Sequence, residues 1–212
     1  MGDRRLNDLL KWSIENTDTS KHDPQPATST SELTPELMAA IMGGPSDADL
    51  MKAAIEVISS SDTEISLDDK LIAFDNFEQL IESLDNANNI ANLGLWTPLL
   101  EQLKHEEREI RKMAAWCVGT AVQNNVKTQE RLLAVGGLPH LVEMAIKESE
   151  HVDVRRKAIY ALSSACRNYQ PAMDTCAEEL TTRGQETGKV DATDMEAVDQ
   201  VMNALKEKVK AS

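Results

Sequence analysis

From residue 46 onward, apolar residues recur at spacings of three and four, as they do in helices that bury one face. Start signals support this interpretation, because Ser66 with Asp69 forms a capping-box pattern with Asp in the acidic position. Thr97-Pro98 marks another helix start, and Gly136-Gly137 separates two further helices. Since no segment alternates apolar and polar residues between hairpin signals, the pattern predicts an all-α fold.

Two of the longest helical segments repeat each other. Arg111–Asn124 aligns with Arg155–Asn168 at an offset of 44 residues, which places Trp116 on Tyr160. At an offset of 42 residues, Lys70–Phe74 aligns with Lys112–Trp116 of the first segment. The long helix therefore recurs three times along the chain.

A shorter element recurs in the same register, because Gly94–Glu101 matches Gly136–Glu143 at an offset of 42. A period of about 42 to 44 residues, with two or three helices per unit, is typical of armadillo and HEAT repeats, whose units stack to bury their apolar faces. We expect a short right-handed armadillo/HEAT-like solenoid with a flexible N-terminal extension and a C-terminal capping helix. The expected regions are an N-terminal amphipathic segment (1–16), a flexible linker with a short helix (17–45), the repeat domain (46–170) and a C-terminal cap or tail (171–212).

The N-terminal amphipathic segment predicts a short helix with one apolar face. A helix of about three turns is marginal alone and must dock on something to persist. The stretch from Thr17 to Ser31 is polar, contains two prolines and shows no period, which indicates a linker. Thr34-Pro35 then opens another short helix, which Gly43-Gly44 ends. The apolar face of the first helix comprises Leu6, Leu9, Leu10 and Ile14, with Trp12 on its flank.

The charge of the chain narrows its partners. A net charge of −14 repels phosphate backbones, which argues against nucleic-acid binding. Residues 46–107 carry fourteen acids and three bases, whereas residues 108–170 carry ten bases and six acids. This asymmetry is compatible with an ordinary solvated surface, and also with a surface that orients a protein partner.

The sequence contains no pattern of a catalytic, cofactor or metal site. His22, His105, His140 and His151 are scattered, and His105-Glu-Glu-Arg lacks the second His of a zinc-protease helix. No nucleophile context or phosphate-binding glycine loop is present, so we expect a binding protein that needs no cofactor or metal.

Cysteine usage and hydropathy predict a cytosolic protein that does not meet a membrane, and we expect it to be a monomer. Cys117, Cys166 and Cys176 form no metal-ligand spacing, and two of them lie in apolar helical patterns, where Cys behaves as a small hydrophobic residue. Disulfides are therefore not expected. The polar N-terminus is no signal peptide, and no apolar run approaches the length of a membrane span.

The long third helix of an armadillo unit usually lines the concave side of the solenoid. Positions four, seven and eight residues after its aromatic residue share that face, which predicts a partner-binding surface. The aromatic residues equally fit a core, and the Asn residues equally fit helix ends. The candidates are Phe74, Glu78 and Glu82 in the first unit, Trp116, Thr120, Gln123 and Asn124 in the second, and Tyr160, Ser164, Arg167 and Asn168 in the third.

The segment Leu84–Asn89, with the sequence Leu-Asp-Asn-Ala-Asn-Asn, is unusually rich in amides. Such residues commonly form turns. The side chains of Asn86, Asn88 and Asn89 around the small Ala87 would also form a flat hydrogen-bonding patch for a partner. The sequence leaves both alternatives open.

Several of these segments resemble the fungal Fes-type nucleotide exchange factors, which are relatives of the mammalian Hsp-binding protein. The resemblance covers most of residues 6–170, and the two Asn-rich segments are its most specific parts because armadillo packing does not demand them. The matching segments are Leu9–Ile14, Lys70–Glu78, Leu84–Ile90, Leu95–Leu100 and Gly119–Asn125.

This resemblance implies a cytosolic cofactor of 70-kDa heat-shock chaperones. Family members bind the chaperone's ATPase domain with the concave armadillo face and promote release of ADP. The family also implies that the N-terminal segment helps to release substrate from the chaperone. The alternative is a generic armadillo adaptor that binds extended peptides. After Asn168 the repeat signals fade, so the array is expected to be shorter than in longer relatives.

Overall fold

The computed structural model of the chain describes residues 45–210. The chain divides into two compact units, Met1–Ser46 and Asp47–Ser212, and nearly all described residues belong to the second. The predicted helix that contains Leu6, Leu9, Leu10, Trp12 and Ile14 lies outside the described residues, as does the linker up to residue 44.

The described part of the chain is helical and contains no strand, which confirms the predicted fold class. A 3₁₀ turn, Gln102–Lys104, extends the fourth helix. The helices are α1 (Asp47–Ser59), α2 (Leu67–Ile81), α3 (Leu84–Asn92), α4 (Trp96–Glu101), α5 (Arg108–Val122), α6 (Val126–Ala134), α7 (Gly137–Ile146), α8 (Val152–Cys166), α9 (Gln170–Thr182) and α10 (Met195–Lys210).

The long helices pack side by side, with α2 against α5 and α5 against α8, and α10 covers the far side of α8. The shorter helices form a second layer, in which α3 packs on α6, α6 on α9, and α7 on α9. Apolar side chains from both layers form one continuous core, as the stacking of repeat units requires. The architecture is an armadillo-like helical solenoid.

The register of the long helices differs by one residue from the sequence alignment. Buried Ala114, Val118 and Val122 correspond to buried Ala73, Phe77 and Ile81 at an offset of 41. At the predicted offset of 42 they would fall on positions of α2 that are not buried. The position of Trp116 in α5 is therefore taken by Asp75 in α2, and not by Phe74.

The extra residue lies in the turn that follows α5. Two residues link α2 to α3, whereas three residues link α5 to α6 and α8 to α9. The middle residues of the longer links, Asn124 and Asn168, have φ angles of 53° and 57°, in the left-handed region that Asn tolerates better than most residues. These two Asn residues therefore terminate helices. Because the link after α5 is one residue longer than the link after α2, the short helices α3 and α6 are related by an offset of 42 residues and not 41.

A cation in the first turn of each long helix ties that helix to the segment before it. Lys70 Nζ donates to the carbonyl of Ser60 at 2.6 Å, and Arg155 Nε donates to the carbonyl of Ala145 at 3.1 Å. Arg111 occupies the equivalent position and donates to the carbonyl of His105 at 2.7 Å. Cationic side chains commonly satisfy carbonyls at helix ends in this way. The offsets of 41 and 44 between the three cations agree with the burial pattern.

Candidate partner-binding surface

The side of α2, α5 and α8 that faces away from the shorter helices forms one continuous candidate surface, here termed the long-helix face. Its side chains are half-buried or exposed, because the second layer of helices covers only the opposite side. The long-helix face comprises Asp75, Gln79, Glu82, Lys112, Trp116, Thr120, Gln123, Lys157 and Tyr160.

Two of the predicted aromatic residues meet on this face around a lysine. Lys157 Nζ lies 3.6 Å from the centroid of the Trp116 ring and 5.6 Å from that of Tyr160. A cation over an aromatic face is attracted by the ring's quadrupole. Burial lowers the pKa of Lys157, an effect that nearby Glu78 opposes and Lys112 reinforces.

Lys157 was not among the residues predicted from the sequence. It lies three residues before Tyr160, so the helical spacing places both side chains on one face. That spacing was the available signal, but the prediction covered only positions that follow each aromatic residue. Tyr160 also extends toward α5, because its hydroxyl donates to Gln123 Oε1 at 3.3 Å.

A glycine allows α8 to approach α5 closely beneath this cluster. A Cβ atom at Gly119 would lie 2.5 Å from Cε1 of Tyr160 and 3.1 Å from Cα of Ala161. Both distances are shorter than ordinary contact, so a residue without a Cβ atom is required at position 119 for the Tyr160 ring to lie this close to α5. The aromatic cluster is therefore built on close helix packing.

Phe74 and Glu78, the first-unit candidates, are not free on the surface. Phe74 is 0% exposed, so its ring belongs to the core. Glu78 is only 7% exposed, and its Oε1 accepts a hydrogen bond of 2.7 Å from the hydroxyl of Thr120. This bond joins α2 to α5. The exposed position next to Phe74 is Asp75, and Glu82 is also exposed.

The third-unit candidates at the end of α8 are engaged by neighbouring elements. Ser164 is buried, and its carbonyl accepts from Gln129 Nε2 at 2.9 Å. The guanidinium of Arg167 forms an ion pair with Asp199 on α10. Asn168 is exposed, like its counterpart Asn124, and its role is the turn described above.

The Asn-rich segment forms helix α3 and not a turn, and its residues have separate environments. Asn86 Nδ2 donates to Asp47 Oδ2 at 2.8 Å and to the carbonyl of Leu80 at 2.9 Å, which ties α3 to its neighbours. Ala87 is 3% exposed, so its methyl group is buried and a larger residue there would disturb packing. Asn86, Asn88 and Asn89 are all half-exposed, but the side chain of Asn86 is engaged in the two bonds above. Asn88 and Asn89 lie next to each other on α3.

The charge on the long-helix face changes sign along the array. The exposed side of α2 carries Asp75 and Glu82, whereas the equivalent sides of α5 and α8 carry Lys112 and Lys157. Complementary potentials orient a partner more than they strengthen its binding. The long-helix face is therefore electrostatically asymmetric along the array.

Within residues 45–210, no group of three or more His, Cys, Asp or Glu side chains is placed to hold a metal ion. None of the helices in that range is long and apolar enough to cross a membrane.

Comparison with known proteins decides the family. Residues 6–90 match the family described as nucleotide exchange factor Fes1, and residues 86–179 match the SIL1/FES1/HPBP1 C-terminal domain. A Gibberella zeae protein named Hsp70 nucleotide exchange factor FES1 is 73% identical over 210 residues, which cover 99% of each chain. The chain belongs to the Fes1 family.

More distant Fes1 proteins match as well. The Neurospora crassa protein named Hsp70 nucleotide exchange factor fes-1 is 50% identical over 99% of this chain and 100% of that one. The Saccharomyces cerevisiae FES1 protein is 44% identical over 169 residues, which cover 78% of this chain and 57% of the yeast protein. The two Fes1-family matches overlap at residues 86–90, within the Asn-rich helix α3.

A solved structure supports the fold independently. The crystal structure of an engineered protein, Northeast Structural Genomics Consortium target OR329, superposes with a TM-score of 0.54 over 82% of this chain and 71% of that chain. Its sequence is 18% identical, so the likeness concerns the fold alone.

Proposed function

We propose that this protein is a nucleotide exchange factor that binds the ATPase domain of a 70-kDa heat-shock chaperone (Hsp70) and promotes ADP release. The observation that carries the proposal is the 73% identity, over 99% of both chains, to a protein named Hsp70 nucleotide exchange factor FES1. It acts in the cytosol as a binding protein and not as an enzyme.

The mechanism follows from linkage between two binding events. A factor with equal affinity for the closed and open ATPase conformations would not change their ratio. An exchange factor must therefore bind more tightly to the conformation that has released ADP, and bound nucleotide weakens the factor's own binding to the same extent. The protein needs a rigid shape and a recognition surface for this, and no catalytic group.

The long-helix face supplies such a surface. Its aromatic and cationic cluster of Trp116, Lys157 and Tyr160 is partly desolvated and is fixed by the close packing at Gly119. Partly buried aromatic residues are common centres of binding energy in protein interfaces. The acidic side of α2 gives the chaperone lobe one preferred orientation on this face.

The N-terminal segment has a separate role in this proposal. Leu6, Leu9, Leu10, Trp12 and Ile14 form an apolar helix face that serves as a short peptide mimic and promotes substrate release from the chaperone. The chain is thereby divided into this segment, a linker to residue 45, the repeat domain and a C-terminal cap. Deleting residues 1–16 should slow substrate release and leave ADP release unchanged.

Release of a fluorescent ADP analogue from purified Hsp70 tests the main proposal. Saturating protein should accelerate release, and no acceleration at saturation would contradict the proposal. Lys157→Met should weaken binding through the long-helix face, whereas Lys189→Met, which removes an exposed charge from the loop before α10, is the matched control. Equal affinity of both variants would exclude the aromatic cluster from the interface.

A further inference from the structure

A cleft of about 260 Å³ lies between α3 and α6, in the layer of shorter helices. Two buried polar atoms at this cleft have no hydrogen-bond partner among the described residues: the indole Nε1 of Trp96 and the Oδ1 of Asn88. Trp96 is only 2% exposed. Burying an indole N–H without an acceptor costs free energy, so most buried polar groups find a partner.

Packing alone does not require these groups. Forty-two residues after Trp96, the equivalent position holds Leu138, which is buried and has no polar side-chain atom. A leucine therefore fills the same place in the next unit. The buried N–H of Trp96 is an additional feature of the first junction.

Two cations lie beside the cleft, on successive turns of α6. Lys127 and Arg131 are exposed, line the cleft and form no ion pair with any residue in the described range. Glu130 also lines the cleft, which leaves one net positive charge around it. At the next junction, between α6 and α9, the positions equivalent to Lys127 and Arg131 at an offset of 44 are Pro171 and Thr175. The two cations are therefore not a general feature of the repeat.

The chemistry of these groups selects an anionic, planar ligand. Nε1 is closed to solvent, so a small shift of the Trp96 ring toward the cleft is needed before a carboxylate can accept from it while Lys127 and Arg131 neutralise the charge. Asn88 completes the set, because a half-turn of its amide exchanges the oxygen for Nδ2, which then donates. Ala91 and Ala134 line the rest of the cleft and suit the methylene stem of a glutamate.

We propose that this cleft is a carboxylate-binding pocket that receives an acidic side chain of the chaperone. The identity of the partner rests on the proposed function, whereas the chemistry of the ligand follows from the cleft. The pocket lies in the layer of shorter helices, so it gives the factor a second contact beside the long-helix face. It also explains why an acidic protein keeps, on neighbouring turns of one short helix, two cations that form no ion pair within residues 45–210.

Equilibrium binding to Hsp70 tests the pocket with three variants. Trp96→Phe removes the N–H and keeps an aromatic ring, and the double variant Lys127→Gln/Arg131→Gln removes the two charges. Lys52→Gln/Lys189→Gln changes the net charge equally but lies outside the pocket. We expect the first two to raise the dissociation constant about tenfold, as loss of a hydrogen bond to a charged group predicts, and the control to change it less than about twofold.

The pattern of losses distinguishes the possible occupants. Loss in Trp96→Phe alone would show a neutral ligand, and loss in the double cation variant alone would show non-specific attraction; both outcomes overturn the pocket. Wild-type affinity in both variants would leave only a buried water and also overturn it. Thermal unfolding checks that Trp96→Phe is folded.

Carbodiimide cross-linking of the wild-type complex is independent of folding defects in any variant. Lys127 should link to a chaperone Asp or Glu, and cross-links confined to lysines outside the pocket would overturn the assignment. The proposed function is tested separately by ADP release. Equal affinities of all variants beside normal acceleration would overturn the pocket alone, whereas wild-type protein that does not bind Hsp70 would overturn both.

Discussion

The junction between α2 and α5 and the junction between α5 and α8 have the same architecture but different chemistry. At the first, the buried carboxylate of Glu78 accepts from Thr120, and the exposed side of α2 is acidic. At the second, Gly119 admits the ring of Tyr160, and Lys157 lies over Trp116. Repeat packing therefore fixes where the helices lie, and single side chains decide what each junction presents to a partner.

The close approach of α5 and α8 should be the most sensitive feature of this comparison. Gly119→Val would force its side chain against Tyr160 and the backbone of Ala161, which should destabilise the protein by about 3 kcal/mol. Chemical denaturation measures the loss. Ser163→Val, at the equivalent position of α8, is the control and should cost less than about 1 kcal/mol. Equal losses would mean that the tight contact is not specific to this junction.

A half-buried ion pair also distinguishes the second junction. Arg111 contacts Glu150 through Nε and its second terminal nitrogen at 2.7 and 2.8 Å, whereas the equivalent Lys70 meets only a carbonyl. Burial raises the pKa of Glu150, but hydrogen bonds from Arg111 and from the N–H of His151 outweigh it, so the pKa is lowered overall. The resulting stability is present above the ordinary pKa of 4.5 and is lost as the pH falls through the folded-state pKa.

Glu150→Gln should therefore destabilise the protein by about 2 kcal/mol at pH 7, because Arg111 loses its charged partner. The difference from wild type should shrink as the pH falls below 4.5. Urea unfolding at pH 7 and at successively lower pH values measures both effects. Glu148→Gln, at an exposed neighbouring position, should change little at any pH. A difference that stays constant with pH would contradict the role of the ion pair.

The first junction depends on the hydrogen bond between Thr120 and Glu78. Thr120→Val keeps the shape of the side chain but leaves the carboxylate of Glu78 without this donor, and should cost about 1.5 kcal/mol. In a Glu78→Met background the same substitution should cost little. A double-mutant cycle by chemical denaturation measures the coupling, and a coupling near zero would show that the bond adds nothing to the junction.

The smallest expected effect concerns the turn that shifts the register. Asn124→Ala should destabilise by about 1 kcal/mol, because its φ of 53° is unfavourable for a residue with an ordinary Cβ. Asn124→Gly should be neutral within a few tenths of a kcal/mol, since glycine adopts this conformation readily. Thermal unfolding compares the two variants. Equal stability of the Ala and Gly variants would remove the conformational explanation.

The helical class and the repeat could both be predicted from the sequence, since both follow from the spacing of apolar residues and from recurring Gly, aromatic and Asn positions. The equivalence of Trp116 and Tyr160 could also be predicted, because the two helical segments that contain them align at an offset of 44 residues without a gap. The same reasoning misplaced Phe74 by one position. The link between α2 and α3 is one residue shorter than the links that follow α5 and α8, and an alignment of short helical segments does not reveal this difference.

The availability of each polar side chain to a partner depends on how the helices pack and could not be predicted from spacing along the chain. Helical spacing assigns a residue to a face, but burial depends on the neighbouring helix, and so Glu78 and Arg167 are engaged while Lys157 lies on the surface. The unpaired N–H of Trp96 is likewise a property of packing between units. A periodic pattern specifies which side of a helix is apolar, whereas contacts between residues about forty positions apart specify what the remaining side can bind.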